Sequence, residues 1–317
     1  MPPILSIQHL SKRFGAVQAV QDVSFEVNAG EIFGFLGPNG AGKTTTISMI
    51  CGLLEPDGGT IHLNGSGSPA QARERIGVCP QSLVLWERLT CLEQLEFIGQ
   101  TYGVPRAEAR RRGAAVLEAL GLAEQRGRLA GALSGGMQRR LNLALALVHE
   151  PDLLILDEHE AGLDPQSRVL VREYIRAWSR SRPGRTVIFT THNMDEAERL
   201  VDRVGIIDHG RLLVLDTLEA LKHQCGQSSV LEIALKDPSV EAQDVLAAVA
   251  CLTTHSLQAQ PMYHEGLLSL RCASAVDTLP AALDALKRAG FAPAEARIRE
   301  NTLEDVFLAL TGRRLRE

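Results

Sequence analysis

The stretch "GPNGAGKTT", residues 37 to 45, satisfies G-x-x-x-x-G-K-[ST] through Gly37, Gly42, Lys43 and Thr44. It follows the apolar "EIFGFL" (31 to 36), which reads as a strand, and leads into "TTTISMICGLL" (44 to 54), which reads as a helix. Strand, glycine loop and helix in that order are the context a phosphate-binding loop requires. Pro38, Asn39 and Ala41 complete the loop, while Gly40 and Gly42 let the backbone curl so that its N–H groups face phosphate oxygens at a helix N-terminus. Lys43 would neutralise the outer phosphates and Thr44 would ligate magnesium, with Thr45 next to it in the first turn.

Such a loop needs carboxylates from another strand end, and "LLILDEHEAGLDP" (153 to 165) offers them. Leu153 to Leu156 is the short unbroken apolar run of a doubly buried parallel strand. On a strand that continued through the acids, Asp157 and His159 would point away from Glu158 and Glu160, so the four could not close round one metal ion. The reading that fits gives Asp157 to magnesium and makes Glu158 the residue that orients an attacking water.

Between these two stretches lies "LSGGMQRR" (133 to 140), and with it the chain resembles the ATP-binding cassette (ABC) transporter family. The family order is complete: Phe14 in "KRFG", the phosphate loop, Gln81 in "GVCPQ", the signature, "LLILDE", the "GLD" turn ending at Asp164, and His192 in "TTH". The resemblance covers roughly residues 3 to 225. It implies an α/β P-loop NTPase cassette over residues 1–225, with a helical subdomain at about 86–150 that contacts a membrane partner. In the family Phe14 stacks on adenine, Gln81 reaches magnesium and the water, and His192 contacts the outer phosphate. Ser134, Gly135 and Gly136 open a helix, and in the family this end meets ATP held by the opposite subunit, near the Asp164 turn. The resemblance therefore implies ATP and magnesium, a second ATPase subunit in a homodimer, and separate transmembrane permease subunits. It also implies a cytoplasmic protein, peripheral on the inner face of the membrane. The chain departs from the family at His159 and Glu160, where proline and threonine are usual. A near-neutral histidine and an added carboxylate there would make subunit closure depend on pH.

The length of 317 residues suits two domains. No apolar stretch approaches the ~20 residues of a membrane helix, and the N-terminus lacks the pattern of a secretory signal. A net charge of -5 argues against nucleic acid as a partner. The basic runs at 106 to 112, at 180 to 185 and in "GRRLRE" at the end read as solvated faces. Six cysteines without C-x-x-C spacing read as buried thiols.

Thr90 and Glu93 form a capping-box pattern at the start of the helical insertion, as do Thr302 and Asp305 before the last helix. "SLVLWERL" (82 to 89), with Leu85 and Trp86, suits a docking surface or a satellite core. Residues 226–317 read as a small α+β domain with βαβ-like alternation, and the ending "NTLEDVFLALTG" resembles ATP-binding subunits of daunorubicin-resistance and ABC-2 type exporters. That resemblance implies the ATP-hydrolysing subunit of an ABC exporter. The alternatives are an importer ATPase, whose β-rich regulatory tail is missing, and a soluble cassette ATPase, whose tandem cassettes or coiled coils are missing.

Overall fold

The computed structural model describes residues 3–63, 69–224, 229–252 and 261–312. In chain order its strands are β1 (Pro3–Phe14), β2 (Val17–Asn28), β3 (Ile32–Leu36), β4 (Gly58–Leu63), β5 (Ile76–Cys79), β6 (Leu153–Asp157), β7 (Thr186–Thr191), β8 (Arg203–Asp208), β9 (Arg211–Thr217), β10 (Ser229–Leu235), β11 (Met262–His264), β12 (Leu267–Cys272) and β13 (Pro293–Arg299). The chain divides into two compact units at Leu218/Glu219, the start of the helix Leu218–Gln224.

In the first unit, six strands lie in the order β5-β6-β7-β3-β8-β9, parallel except for β9. β3, β6 and β7 are buried at every position, as strands covered on both faces must be. The antiparallel sheet β2-β1-β4 packs against this layer through one apolar core that joins Leu5, Ile7 and Val20 to Phe33, Phe35 and Ile155. Between β5 and β6 the chain makes three α-helices, Cys91–Thr101, Arg106–Ala119 and Gly135–Leu147. The first of them starts at the Thr90–Glu93 capping box.

Most arginines of the two described basic runs meet carboxylates. Arg110 pairs with Glu96, Arg111 and Arg112 with Glu108, Arg182 with Asp152, and Arg185 with Glu150. The run that ends the chain lies, from residue 313 on, outside the described residues. Cys51, Cys79, Cys91 and Cys272 are buried free thiols; Cys225 and the Cys251 side chain lie outside the described set. No described helix is long and apolar enough to cross a membrane.

The second unit holds one antiparallel sheet, β11-β12-β10-β13, with Leu231, Ile233, Leu268 and Leu270 packed under the helices Ala242–Val249 and Ala275–Arg288. The simple βαβ alternation expected from the sequence is corrected here. β11, only three residues long, forms a hairpin with β12, so each helical crossover spans an intervening antiparallel strand. This is a split βαβ arrangement of ferredoxin-like order. The Thr302–Asp305 capping box opens the last helix, Leu303–Thr311, and Asp305 also binds Arg299 at 2.5 Å and Arg271 at 3.4 Å.

Candidate active site

Loops leaving the carboxyl ends of β3, β5, β6 and β7 meet at one edge of the parallel sheet, where such sheets place their ligands. The loop after β3 curls through left-handed residues, Gly40 at φ 77 and Gly42 at φ 104. A Cβ on Gly42 would stand 2.4 Å from the Ala19 carbonyl oxygen, so only glycine fits there. Gly37 and Ala41 are buried, Pro38 is half-buried, and Asn39 and Gly40 are exposed. Helix Lys43–Ile50 follows, with Thr44 exposed and Thr45 half-buried in its first turn.

The Lys43 side chain is 5% exposed and its ammonium donates to the carbonyls of Gly37 (2.8 Å) and Pro38 (3.0 Å). Burial lowers its pKa, and the nearby Glu158 and Asp157 carboxylates oppose that shift.

Glu158 gathers the other expected residues. Its Oε2 accepts from the Gln81 amide at 3.0 Å, its Oε1 lies 3.3 Å from His192 Nδ1, and the Lys43 ammonium stands 3.7 Å from Oε1. Asp157, buried beside it, accepts from the Thr190 hydroxyl. Three residues drawn from three separate segments, Lys43, Gln81 and His192, thus converge on the carboxylate of a fourth.

Residues 157 to 160 do not continue the strand alternation expected from the sequence. β6 stops at Asp157, and Glu158 turns left-handed at φ 45, its N–H donating to the Thr190 carbonyl at 3.1 Å. Ala161 N–H then bonds the Glu158 carbonyl, closing a turn. His159 is driven inward, 3% exposed, edge-on to Phe189 of β7, with its Nδ1 unpartnered. A near-neutral His159 is likewise corrected: burial, reinforced by Arg139, pushes it down to about 3. Glu160 takes over the physiological range. Burial and then Glu196 push it up to about 7, against Arg168 and Arg172.

Phe14 ends β1 at 51% exposure, with the Lys12 ammonium 5.8 Å from its ring centroid, so it is no core aromatic. Ser134 caps the helix Gly135–Leu147 by accepting from Met137 N–H at 3.3 Å, and a Cβ on Gly135 would meet nothing within 4 Å. This helix end is open. Asp164 caps Pro165–Arg180 through Ser167, whose hydroxyl and N–H hold its carboxyl below the usual range.

Arg139 is a residue that sequence reasoning missed. From the second turn of the signature helix, its Nη1 donates to the Gln81 carbonyl at 2.6 Å and the Pro80 carbonyl at 3.3 Å, and its Nε to the Ala161 carbonyl at 3.3 Å. One guanidinium therefore ties the signature helix to the loops on either side of Glu158. One turn further along, Asn142 accepts from Val84 N–H at 3.1 Å. No local pattern announces these contacts, since Gln81 lies 58 residues from Arg139 in sequence.

Beside Gln81 an apolar groove of about 380 Å³ runs between the sheet and the helical insertion, lined by Val78, Pro80, Val84, Trp86, Tyr102 and His149 among others. Tyr102 stacks on His149 with centroids 3.8 Å apart, and Trp86 meets Phe97 edge-on. Leu83, Val84 and Trp86 are exposed, whereas Leu85 is half-buried.

Fold and site define a P-loop ATPase of cassette type. The ABC transporter family model matches residues 20–161. Over 99% of this chain and 100% of the relative, the sequence is 37% identical to the linearmycin resistance ATP-binding protein LnrL of Bacillus subtilis. It is 40% identical to the daunorubicin/doxorubicin resistance ATP-binding protein DrrA of Streptomyces peucetius, over 96% of this chain and 91% of that one. A solved ATP-binding subunit of an ABC transporter superposes with a TM-score of 0.65 at 33% identity, covering 70% of this chain and 93% of the other. The chain belongs to the ABC transporter family, in the daunorubicin-resistance-type group of exporter ATPase subunits. It is an ATP-binding ATPase of a class that works as dimers with membrane permease partners.

Proposed function

We propose that two copies of this chain form a homodimer that hydrolyses ATP beneath a separate permease at the inner face of the membrane, driving export. In each copy the loop Gly37–Thr45 cradles the phosphates, Phe14 stacks on adenine, and Ser134, Gly135 and Gly136 close over the nucleotide of the other copy, beside Asp164. The open helix end at Gly135 supports that last role. A magnesium ion suits oxygen donors, and the exposed Thr44 hydroxyl, the Gln81 amide oxygen and the buried Asp157 carboxylate supply an all-oxygen set. When bound, the ion offsets phosphate charge. Glu158 orients the attacking water and accepts its proton, while Gln81 and His192 hold the carboxylate in place and Lys43 balances developing charge on the outer phosphate. The exposed apolar side chains of Leu83, Val84 and Trp86, beside the groove and next to Gln81, suit a permease segment, so that closure around ATP is passed on through the Gln81 loop.

The observation that carries this reading is the convergence of Gln81, His192 and Lys43 on Glu158. The variant Glu158→Gln keeps the shape and loses the base, so turnover should fall by about 10²-fold or more while ATP stays bound and the dimer stays closed. Sedimentation with ATP and magnesium, together with a phosphate-release assay, tests this. A monomeric variant that hydrolyses at the wild-type rate refutes the assignment.

A further inference from the structure

β13 is the end strand of the C-terminal sheet, paired with β10 along one side and with no ladder on its other side among the described residues. Residues 294 to 298 are exposed without interruption. An open strand edge is a template for another strand, and proteins normally cover or guard one.

The two faces of "PAEARIR" differ. In register with β10, Ile298 lies opposite Leu231 and Ala296 opposite Ile233, and both partners belong to the core under the helices. Ala294, Ala296 and Ile298 therefore line the helix-covered face, yet Ile298 is 45% exposed. Glu295 and Arg297 lie on the other face. Arg299 on that face is held by Glu232 at 2.6 Å and by Asp305, whereas Glu295 and Arg297 have no hydrogen-bond or ion-pair partner among the described residues. Two unspent charges of opposite sign, two residues apart on an open edge, are self-complementary.

We propose that β13 pairs antiparallel with β13 of a second copy of this chain, about a two-fold axis at Ala296, so that the two C-terminal sheets become one. In this register Glu295 faces Arg297 of the partner subunit, and the symmetry makes that pair twice. On the helix-covered face Ala294 meets Ile298 of the partner subunit, extending the apolar core across the axis. Moving the axis to Glu295 or Arg297 sets like charges opposite each other, so one register is selected. The charges and Pro293, which lacks an N–H, guard the edge against indiscriminate strands and leave this one pairing open. The ladder is short. It contributes to a dimer that the cassettes also form, where a second contact acts at high effective concentration.

The test uses the full chain carrying Ala296→Cys. Directly opposed Cα atoms in an antiparallel ladder lie roughly 4.5–5.5 Å apart, within reach of a disulfide. Mild oxidation should give a covalent dimer on a non-reducing gel, and wild type should not. In the Ala296→Cys background, Glu295→Arg or Arg297→Glu alone should abolish most of the cross-link, and the two reversals together should restore it. ATP binding by each variant establishes a folded nucleotide-binding unit, and an unchanged pattern of limited proteolysis after residue 229 establishes that the sheet carrying β13 is folded. No cross-link in an Ala296→Cys chain that passes both checks overturns the proposal. So does a cross-link indifferent to both single reversals, which would mean collision or another occupant of the edge, such as a permease strand.

Discussion

His159 and Glu160 give the protein a pH signature that follows from where each is buried. Glu160 is held at about 7 against an ordinary 4.5, and it faces Glu196, Arg168, Arg172 and His159. A carboxyl raised in the folded state stabilises the fold fully below 4.5, and that stability is lost as pH rises to about 7. The whole effect is about 3 kcal/mol. His159, depressed to about 3 from 6.5, runs the other way: its stability is present above 6.5 and is lost as pH falls toward 3. Between about 4.5 and 6.5 the unfolded chain holds an imidazolium and a carboxylate where the folded chain holds two neutral groups. The net proton count is then unchanged, and the pair contributes no slope. Glu160→Gln uncovers the histidine alone. It should stabilise the nucleotide-binding unit by about 1.4 kcal/mol at pH 5.5 and by about 3 kcal/mol above pH 7, with nothing gained below 4.5. His159→Phe should give the opposite slope between 4.5 and 6.5. Urea unfolding of the full chain in EDTA, followed through the cassette's own transition from pH 4.5 to 8.5, measures both. Parallel curves for wild type and Glu160→Gln across that range would refute the argument.

Lys43→Ala removes the buried ammonium that spans the phosphate loop, and ATP affinity should drop roughly 100-fold, the worth of about 3 kcal/mol of charge-assisted contact. Equilibrium binding of a fluorescent ATP analogue reads this directly, and an unchanged Kd would defeat the loop assignment. Arg139→Met should lower kcat about tenfold or more with ATP affinity of the single subunit unchanged, and Arg139→Lys should restore little, because one ammonium cannot serve the Gln81 and Ala161 carbonyls together. Wild-type kcat in Arg139→Met, in a preparation where Gln81→Ala is impaired, would show that Arg139 positions nothing.

Where structure is decided within a few residues, the sequence was readable. The strand, glycine turn and helix of residues 32 to 50, the all-buried run of β6 and both capping boxes depend on neighbours in the chain, and all four form as read. Exporter kinship was also visible, and relatives matching over nearly the whole chain bear it out against importer and soluble ATPases. The rest depended on partners far away in sequence. Period-two alternation assumed that β6 continued, but Thr190 of the adjacent strand captures the Glu158 N–H and bends the chain there. The burial of His159 likewise rests on Phe189, which no pattern around residue 159 reveals. β11 is too short to carry a periodic signal, and without it the direction of β12 cannot be inferred.

Arg139 and Asn142 lie three residues apart, on one face of the helix whose first turn carries Gly135 and Gly136. Both hold the loop from Pro80 to Val84, and Gln81 of that loop is bonded to Glu158. In the proposed homodimer, the helix end that closes over one nucleotide is thus fastened, within its own subunit, to the carboxylate proposed to serve the other. A rotation of that helix would carry the Pro80 and Gln81 carbonyls with it and draw the Gln81 amide off Glu158, because a hydrogen bond of 3.0 Å does not survive a shift of about 1 Å. Arg139 holds the Ala161 carbonyl as well, so the turn that aims Glu158 would move in the same step. On the proposed dimer, closure at one site would therefore set the geometry of Glu158 at the other through two side chains, neither of which hydrogen-bonds a phosphate-loop residue among the described residues. If Lys43 and Glu158 have the roles proposed for them, substitutions at Arg139 and Asn142 should consequently leave ATP affinity, assigned to Lys43 and its loop, unchanged while lowering turnover, assigned to Glu158.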